Sequence, residues 1–409
     1  MLSAQSGEWL FTSIDLGVRS DNRIQFTFQG EKITGRMGNL TFEGTVRGGR
    51  VELEAKQASG ALFGKYAGTY VAGEMKGDGN RAGTNITWIA RRFQDKPAAP
   101  QTHHFTPTQF HNYFSSTIPP ALTIFPGDTV DSWSVDAGGT DAQGMRRNPG
   151  GNPLTGPFYV EGAVPGDMLV VRFTRIRLNR DTAFSGQRVS PSALTPGYYA
   201  QQQQQNVQGF DSSWILDRQA GFARLSKPSD KLKDYRVPLK PMIGCVGVAP
   251  PQQQSFRTSY PGTFGGNMDY NQLVEGTTVY LPVYHPGALL LVGDGHAAQG
   301  DGELTGNALE TSMDWTFTVD VTRARNIVNP RLVNAEFWMA SGIANSLPEA
   351  LQAATTNLSR WLEEDLKLNA SEIGVVLGTS MRYEVAELVD PQIHVVAKIA
   401  KNMLAAIPK

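Results

Sequence analysis

From Gly7 to Arg92, apolar and polar residues alternate in short runs: WLFTSI, RIQFTFQ, KITGRM, LTFEGTV, VELEA, LFGKYAGTYVAGEMK and NITWIARR. Turns such as QGEK and RGGR separate them. A two-residue period puts every second side chain on one face, so each run predicts a half-buried strand, and the tight turns predict antiparallel neighbours. A meander of that kind hides its apolar face by curling up, which predicts a small closed or half-closed antiparallel barrel. The same punctuation continues downstream: 43 Gly and 24 Pro in 409 residues favour short strands and tight turns over long helices. The predicted class is mostly β.

A chain of this length exceeds one ordinary core, so two domains of unequal size are expected. The stretch DKPAAPQT breaks the alternation and reads as a connector. The division that follows is a barrel domain over 1–97, a linker over 98–104 and a larger domain over 105–409. In the larger domain, IFPGDTVDSW and AVPGDMLVVRF each feed an apolar run from a Pro-Gly-Asp turn, and YHPGALLLVGDG enters through Pro-Gly. Such runs suit the buried strands of stacked sheets, giving a β-sandwich-rich α+β domain. The glutamines at 201–205, between PGYY and NVQGF, read as part of a polar excursion from the sandwich with no functional role.

Helical signal arrives late. Ser346 and Glu349 have capping-box spacing with Pro348 in the first turn, and Leu351, Ala354, Leu358 and Leu362 recur on one face. SEIGVVLGTSMRYEVAELVD reads as a second amphipathic helix, and QIHVVAKIAK as a closing strand with Ile393, Val395, Ala397 and Ile399 on one side.

Lys and Arg number 37 against 38 Asp and Glu, so no net field draws nucleic acid or an anionic membrane. No apolar run reaches the ~18 residues that cross a bilayer as a helix. The single cysteine, Cys245, leaves no internal disulfide and no thiolate zinc cluster. It lies in MIGCVGVAP, an apolar run with no adjacent base, where a thiol fills core volume rather than acting as a nucleophile. No G-x-S-x-G elbow marks a serine nucleophile either.

The chemistry concentrates in GDGHAAQGDGE, which follows the apolar run LPVYHPGALLLV. In extended geometry Asp294 and His296 share a face, as do Asp301 and Glu303 beyond the turn, so the two pairs can converge. Convergent carboxylates repel unless a cation or shared proton intervenes, and neutral imidazole beside carboxylate oxygen suits a divalent metal such as zinc. Such a metal assists hydrolysis by acidifying water toward a pKa of about 7 and polarising a carbonyl. The competing reading is an acidic surface turn with a lone capping histidine. Two further polar islands are FGGNMDYNQLVEG, with Asn267 and Asp269, and SVDAGGTDAQG, with Asp136 and Asp141, downstream of His111. Self-satisfied turns are the alternative there.

The motifs IPPALTIFPGDTV, LTGPFYVEGAVPGDMLVV, IGCVGVAP, GGNMD, YLPV and GDGHAAQGDGE, in that order, resemble the acetamidase/formamidase family over residues 103–409. The first segment resembles lipocalin-like β domains of exported bacterial hydrolases, through GEWLF, KITGRMGN and TWIARR. The family resemblance implies a mostly β fold with few helices, hydrolysis of a linear carboxamide to carboxylate and ammonia, a divalent metal, and homo-oligomeric assembly. The imidazole and carboxylate chemistry favours zinc for that metal, with calcium as the alternative.

Carried onto this sequence, the resemblance implies Asp136, Asp294 and His296 as metal ligands, with His111 and Asp301 as further candidates for the metal sphere. It implies Glu303 as general base and proton shuttle, and Asn267, Asp269 and Gln299 as groups that position the amide or its oxyanion. Two departures stand out. Formamidase-like members carry an aromatic, imidazole-rich segment before the first Pro-Pro where this chain has NYFSST, which implies a larger or different substrate. The front β domain also lies outside the family core. The remaining alternatives are a non-catalytic member with structural calcium and a ligand-carrying barrel, or a hydrolase of a related ester or carbamate. An exported or periplasmic protein, its leader outside this sequence, is the expected location, with the cytoplasm as alternative.

Overall fold

The computed structural model describes residues 6–205 and 210–408. The MLSAQ start and the NVQG part of the polar excursion lie outside them. The chain divides into two compact units.

The first unit runs through Ala98 and includes Glu161–Pro165 and His285–Gly287. Its strands are Gly7–Asp15, Val18–Gln29, Lys32–Met37, Leu40–Arg47, Arg50–Lys56, Leu62–Val71, Glu74–Arg81 and Thr84–Arg92. Each pairs antiparallel with the next, and the first closes on the last, with Trp9 opposite Arg92 and Asp15 opposite Ile86. Alternation fixes the interior: Trp9, Phe11, Phe26, Phe42, Tyr66 and Trp88 all point inward and are buried. Phe11 stacks on Trp88 at 5.7 Å and meets Tyr66 edge-on at 5.6 Å, so aromatic rings pack the barrel core. Gly68 and Gly77 let adjacent strands approach closely, since a Cβ would come within 2.1 Å and 2.0 Å of neighbouring carbonyl oxygens.

The second unit is built on two sheets. In the first, Leu290–His296 runs between Met242–Gly247 and Glu310–Thr311, and Gly265–Asn267 flanks Met242–Gly247 on its other side. Every residue of Leu290–His296 and of Met242–Gly247 is buried, which explains their apolar and glycine composition, broken only by Asp294 and His296 in the first of them. The polar excursion stays on this sheet: Ser213–Asp217, Phe222–Leu225 and Val237–Pro238 extend it outward as successive antiparallel strands. The glutamines at 201–203 end a short helix, Pro196–Gln203.

The second sheet orders Arg382–Glu387, Ile393–Ala400, Phe337–Ala344, Arg331–Val333, Thr278–Pro282, Met168–Leu178, Met313–Thr322, Thr129–Ser134 and Thr102–His104. The last of these corrects the linker expectation, because residues 102–104 pair in parallel with Thr129–Asp131. The capped helix forms as Leu347–Leu366, its Ser346 side chain accepting from the Glu349 N–H. It buries Ala354, Leu358, Trp361 and Leu362 against Phe337–Ala344 and Ile393–Ala400, while Leu351 stays 37% exposed at the edge of that face. Gly342 permits the contact, since a Cβ there would lie 2.0 Å from the Ala350 carbonyl oxygen.

The second predicted helix is shorter than its pattern. It covers Ala370–Ser380, Met381 turns extended, and RYEVAE becomes the strand Arg382–Glu387 paired with Ile393–Ala400. Pairing with a free sheet edge overrides local helical periodicity here. The Ile393–Ala400 strand is buried from His394 through Ile399, both faces being covered, and a helical turn, Lys401–Leu404, follows it. The unit is thus mostly β, its two longest helices adjacent in sequence. Among the described residues, no helix is long and apolar enough to cross a membrane.

Candidate active site

Strand register assembles the site. His296 stands directly opposite Glu310 on the neighbouring antiparallel strand, and Asp294 lies two residues earlier on the His296 strand. Asn267 faces Cys245 across the other side of Met242–Gly247, and Asp269 follows Asn267 by two residues. Gly244 makes room at the centre: a Cβ there would lie 2.4 Å from Asp269 Oδ1, 2.8 Å from Asp294 Oδ2 and 2.9 Å from His296 Cε1. The MIGCVGVAP motif therefore contributes a glycine rather than a thiol. Cys245 is buried, donates to the Thr258 carbonyl at 3.3 Å, and burial, with Asp294 and Asp269 nearby, pushes its thiol well up.

The polar atoms follow one pattern. Asp269 accepts from the Asn267 amide at 2.6 Å on one oxygen, and its other oxygen is buried without a partner. Asp294 accepts from Asn152 at 3.2 Å on one oxygen, and again the other has none. Glu310 accepts from the Ala308 N–H at 3.0 Å, with Oε2 left over. His296 engages Gln299 Oε1 through Nδ1 at 2.9 Å and leaves Nε2 unpaired. The spare Nε2 lies 3.3 Å from Glu310 Oε2, 3.5 Å from Asp294 Oδ1 and 3.9 Å from Asp269 Oδ1. Each of the four side chains is held by one atom and offers another to a common space. Ligand atoms of Asp269, His296 and Glu303, and of Asp294, His296 and Glu310, lie within 4.8 Å of one another in each set.

Gln299 decides the histidine tautomer. Its amide nitrogen donates to the carbonyls of Asp269 and Ala386, so its oxygen must accept, which places a proton on Nδ1 and leaves Nε2 as the nitrogen facing the acids. The strand Arg382–Glu387 and the turn after it supply the far wall. Gly302 is bridged to Glu387, and Asp390 accepts from Asn267 at 2.7 Å.

Backbone conformation at the acids is uncommon. Asp269, Asp294 and Glu303 all take left-handed φ values of 39°, 62° and 46°. Asn152, which holds Asp294, has φ 54°. Residues in this region cluster where a site over-determines them.

Burial governs the electrostatics. It pushes the carboxyls of Asp269 and Glu303 well above the usual range, reinforced by neighbouring acids, and raises that of Glu310. Burial alone would lower His296, yet Glu310 and Asp294 outweigh it and its net shift is upward. Asp390 rises to about 7 and Glu387 to about 8, mainly by burial. These groups bind protons more tightly folded than unfolded, so their contribution to stability is lost as pH climbs through the folded values. His394 opposes them, because burial lowers it to about 4, but its unfolded form has largely lost its proton above its ordinary 6.5. Chelator-treated protein is therefore expected to melt at progressively lower temperature from about pH 6.5 to 8.5, and Glu387→Gln to flatten that slope. Calorimetry across the window tests this; a melting temperature that rises with pH there would contradict it.

The positions singled out in sequence divide sharply. Asp294, His296, Asp269 and Glu303 converge, with Asn267 and Gln299 bracing them. Asp301 does not join them: 299–306 is a series of turns rather than a strand, so Asp301 is exposed and accepts from Asn271 while Glu303 is buried. Asp136 is buried elsewhere in the chain's contacts, with Arg180 on one oxygen and the Thr140 N–H on the other, and belongs to neither ligand set. Asp141 pairs with Arg147. His111 exchanges backbone hydrogen bonds with Leu154, and its imidazole, lowered by burial, is also outside both sets. Asn267 and Gln299 spend both ends of their amides inside the chain. The residues missed were Glu310, Asp390, Glu387 and Asn152. Only Glu310 had a usable signal, as the acid opening the alternating run ETSMDWTFTVDV.

The profile of the acetamidase/formamidase family matches residues 97–255 and 251–341. A formamidase of Methylophilus methylotrophus is 26% identical over 250 residues, covering 48% of this chain and 60% of that protein. An acetamidase of Mycolicibacterium smegmatis is 26% identical over 249 residues, covering 47% and 61%. The chain thus spans about 60% of the length of these curated relatives. Among solved structures, an acetamidase from Yersinia enterocolitica superposes with a TM-score of 0.62 at 29% identity, covering 75% of this chain and 93% of that one. A predicted acetamidase/formamidase from Thermoanaerobacter tengcongensis gives 0.63 at 26% identity, covering 76% and 99%. With the profile matching more than half of its length, this chain belongs to the acetamidase/formamidase family.

Proposed function

We propose that the chain is a metal-dependent amidohydrolase that converts a linear carboxamide to a carboxylate and ammonia. One observation carries the reading: Asp269, Asp294, His296 and Glu310 are each pinned by one polar atom and present a second, buried and unpartnered, to the same space. Four such orphans are costly unless a cation satisfies them. The donor set, three carboxylates and one imidazole, fits zinc, and its oxygen excess leaves calcium as the alternative. Bound there, a divalent cation would supply Lewis-acid polarisation of the carbonyl and acidify water.

The remaining work falls to the chain. Asn152, Asn267 and Gln299 orient the acids and the imidazole, which is the outer-layer function that fixes ligand geometry. Gln299 and Asn267 thus act as positioning residues in this reading, in place of contacts to the amide itself. Glu303 takes the proton from water as its oxygen adds to the carbonyl carbon, then returns a proton to nitrogen as the C–N bond breaks. A buried carboxyl with raised proton affinity, close to His296 and Asp269, is suited to both transfers. Self-association belongs to the same reading and is checked by sedimentation.

Ammonia release from a panel of primary amides, with elemental analysis of the purified protein, tests the proposal. Bound metal without ammonia from any amide would favour a binding role instead. Glu303→Gln is expected to retain the metal and lose turnover by about 10²–10⁴-fold, the usual range for a proton-transfer group. Unchanged turnover in that variant would remove Glu303 from the mechanism.

A further inference from the structure

Beside Glu303 and Gln299 lies a cavity of about 560 Å³. Its walls include Trp214, Tyr235, Leu304 and Leu309. Acetamide is only a few times the size of a water, which takes about 30 Å³, whereas cavities of roughly 300–1,000 Å³ enclose drug-sized ligands. A cavity of this volume beside the proton-transfer group is out of scale with formamide or acetamide.

Its chemistry is as informative as its size. Trp214 and Tyr235 meet at 6.4 Å with their planes 62° apart, an edge-to-face pair on which a third ring can pack. Trp214 is fixed, because its indole N–H donates to Ser185 Oγ at 3.0 Å, while Tyr235 is half exposed at the rim. Lys240 and Asp301 also line the space and are opposite in sign, and the one further acid in the lining is Glu303, the proton-transfer group itself, so no cluster of like charge marks the wall for an ionic tail. The ring-bearing residues come from the strand Ser213–Asp217 and the segment leading into Val237–Pro238, the outward extension of the sheet that carries His296.

We infer that this cavity is an acyl-side subsite for an apolar, aryl-bearing primary carboxamide. The inference rests on the amidohydrolase reading, in which the leaving group is ammonia and the bulk of the substrate must sit on the acyl side. The subsite grips the aryl group through Trp214, Tyr235, Leu304 and Leu309 and delivers the carboxamide past Gln299 to Glu303.

The test compares kcat/KM for acetamide, phenylacetamide and N-benzylacetamide with the metal-loaded full chain, alongside calorimetric binding of phenylacetate and acetate. Phenylacetamide is expected to exceed acetamide by about tenfold or more, the scale set by a few buried apolar groups. Tyr235→Ala should cut the phenylacetamide value about five- to tenfold and leave acetamide within about twofold. Asn307→Trp, which fills the cavity from a partly exposed position, should do the same without removing a wall. Acetamide turned over as well as phenylacetamide would overturn the subsite while leaving the hydrolase reading intact. A preference for N-benzylacetamide would overturn the acyl-side assignment. Phenylacetate bound in a Tyr235-dependent way with no amide cleaved would uphold an aryl site and sink the hydrolase reading.

Discussion

His296→Ala is expected to abolish both cation binding and amide turnover while the fold persists. The imidazole is the member common to both ligand sets, its Nε2 lies within 4 Å of three acids, and Gln299 commits its other nitrogen. Loss of an outer partner typically costs about 10–100-fold in metal affinity, and loss of an inner ligand flanked by buried carboxyls should cost more. The imidazole draws the buried Asp269 and Glu310 carboxyls down, so without it both would rise further. Elemental analysis after gel filtration, ammonia release and circular dichroism together decide the matter. Stoichiometric metal and full turnover in this variant would sink the assignment.

Gly244→Ala is expected to be nearly as damaging, although it adds only a methyl group. The new Cβ would collide with Asp269, Asp294 and His296 together, and the residue sits mid-strand in a fully buried run where the backbone cannot retreat. Overpacking a core in this way costs about 1–3 kcal/mol, and the displaced ligands should lower cation affinity by about 10–100-fold. Gly300→Ala is the matched control, since nothing lies within 4 Å of a Cβ there. Melting temperature and metal titration on both variants provide the comparison; a Gly244 variant indistinguishable from its control would show that the space is not used.

The division between what sequence revealed and what it hid follows from the range of each interaction. The barrel was legible because alternation and turn chemistry are local, and its pairings join consecutive strands. Asp294, His296, Asn267 and Asp269 were legible because glycine spacing marks short segments where the backbone bends around chemistry. Glu310 was not, since it meets His296 only through the register of two strands separated by a run of turns. Glu387 ends a strand and Asp390 lies in the turn after it, both within a segment that local periodicity disguised as helix. Asp136 misled for the complementary reason: Arg180, far along the chain, consumes its charge, and no spacing rule announces that pairing.

The left-handed backbone at Asp269, Asp294 and Glu303 has a thermodynamic corollary. Each such residue costs on the order of 1–3 kcal/mol that a glycine would recover. Exchange for glycine at any of the three would recover that cost while deleting a carboxylate, so robustness and chemistry pull in opposite directions at these positions.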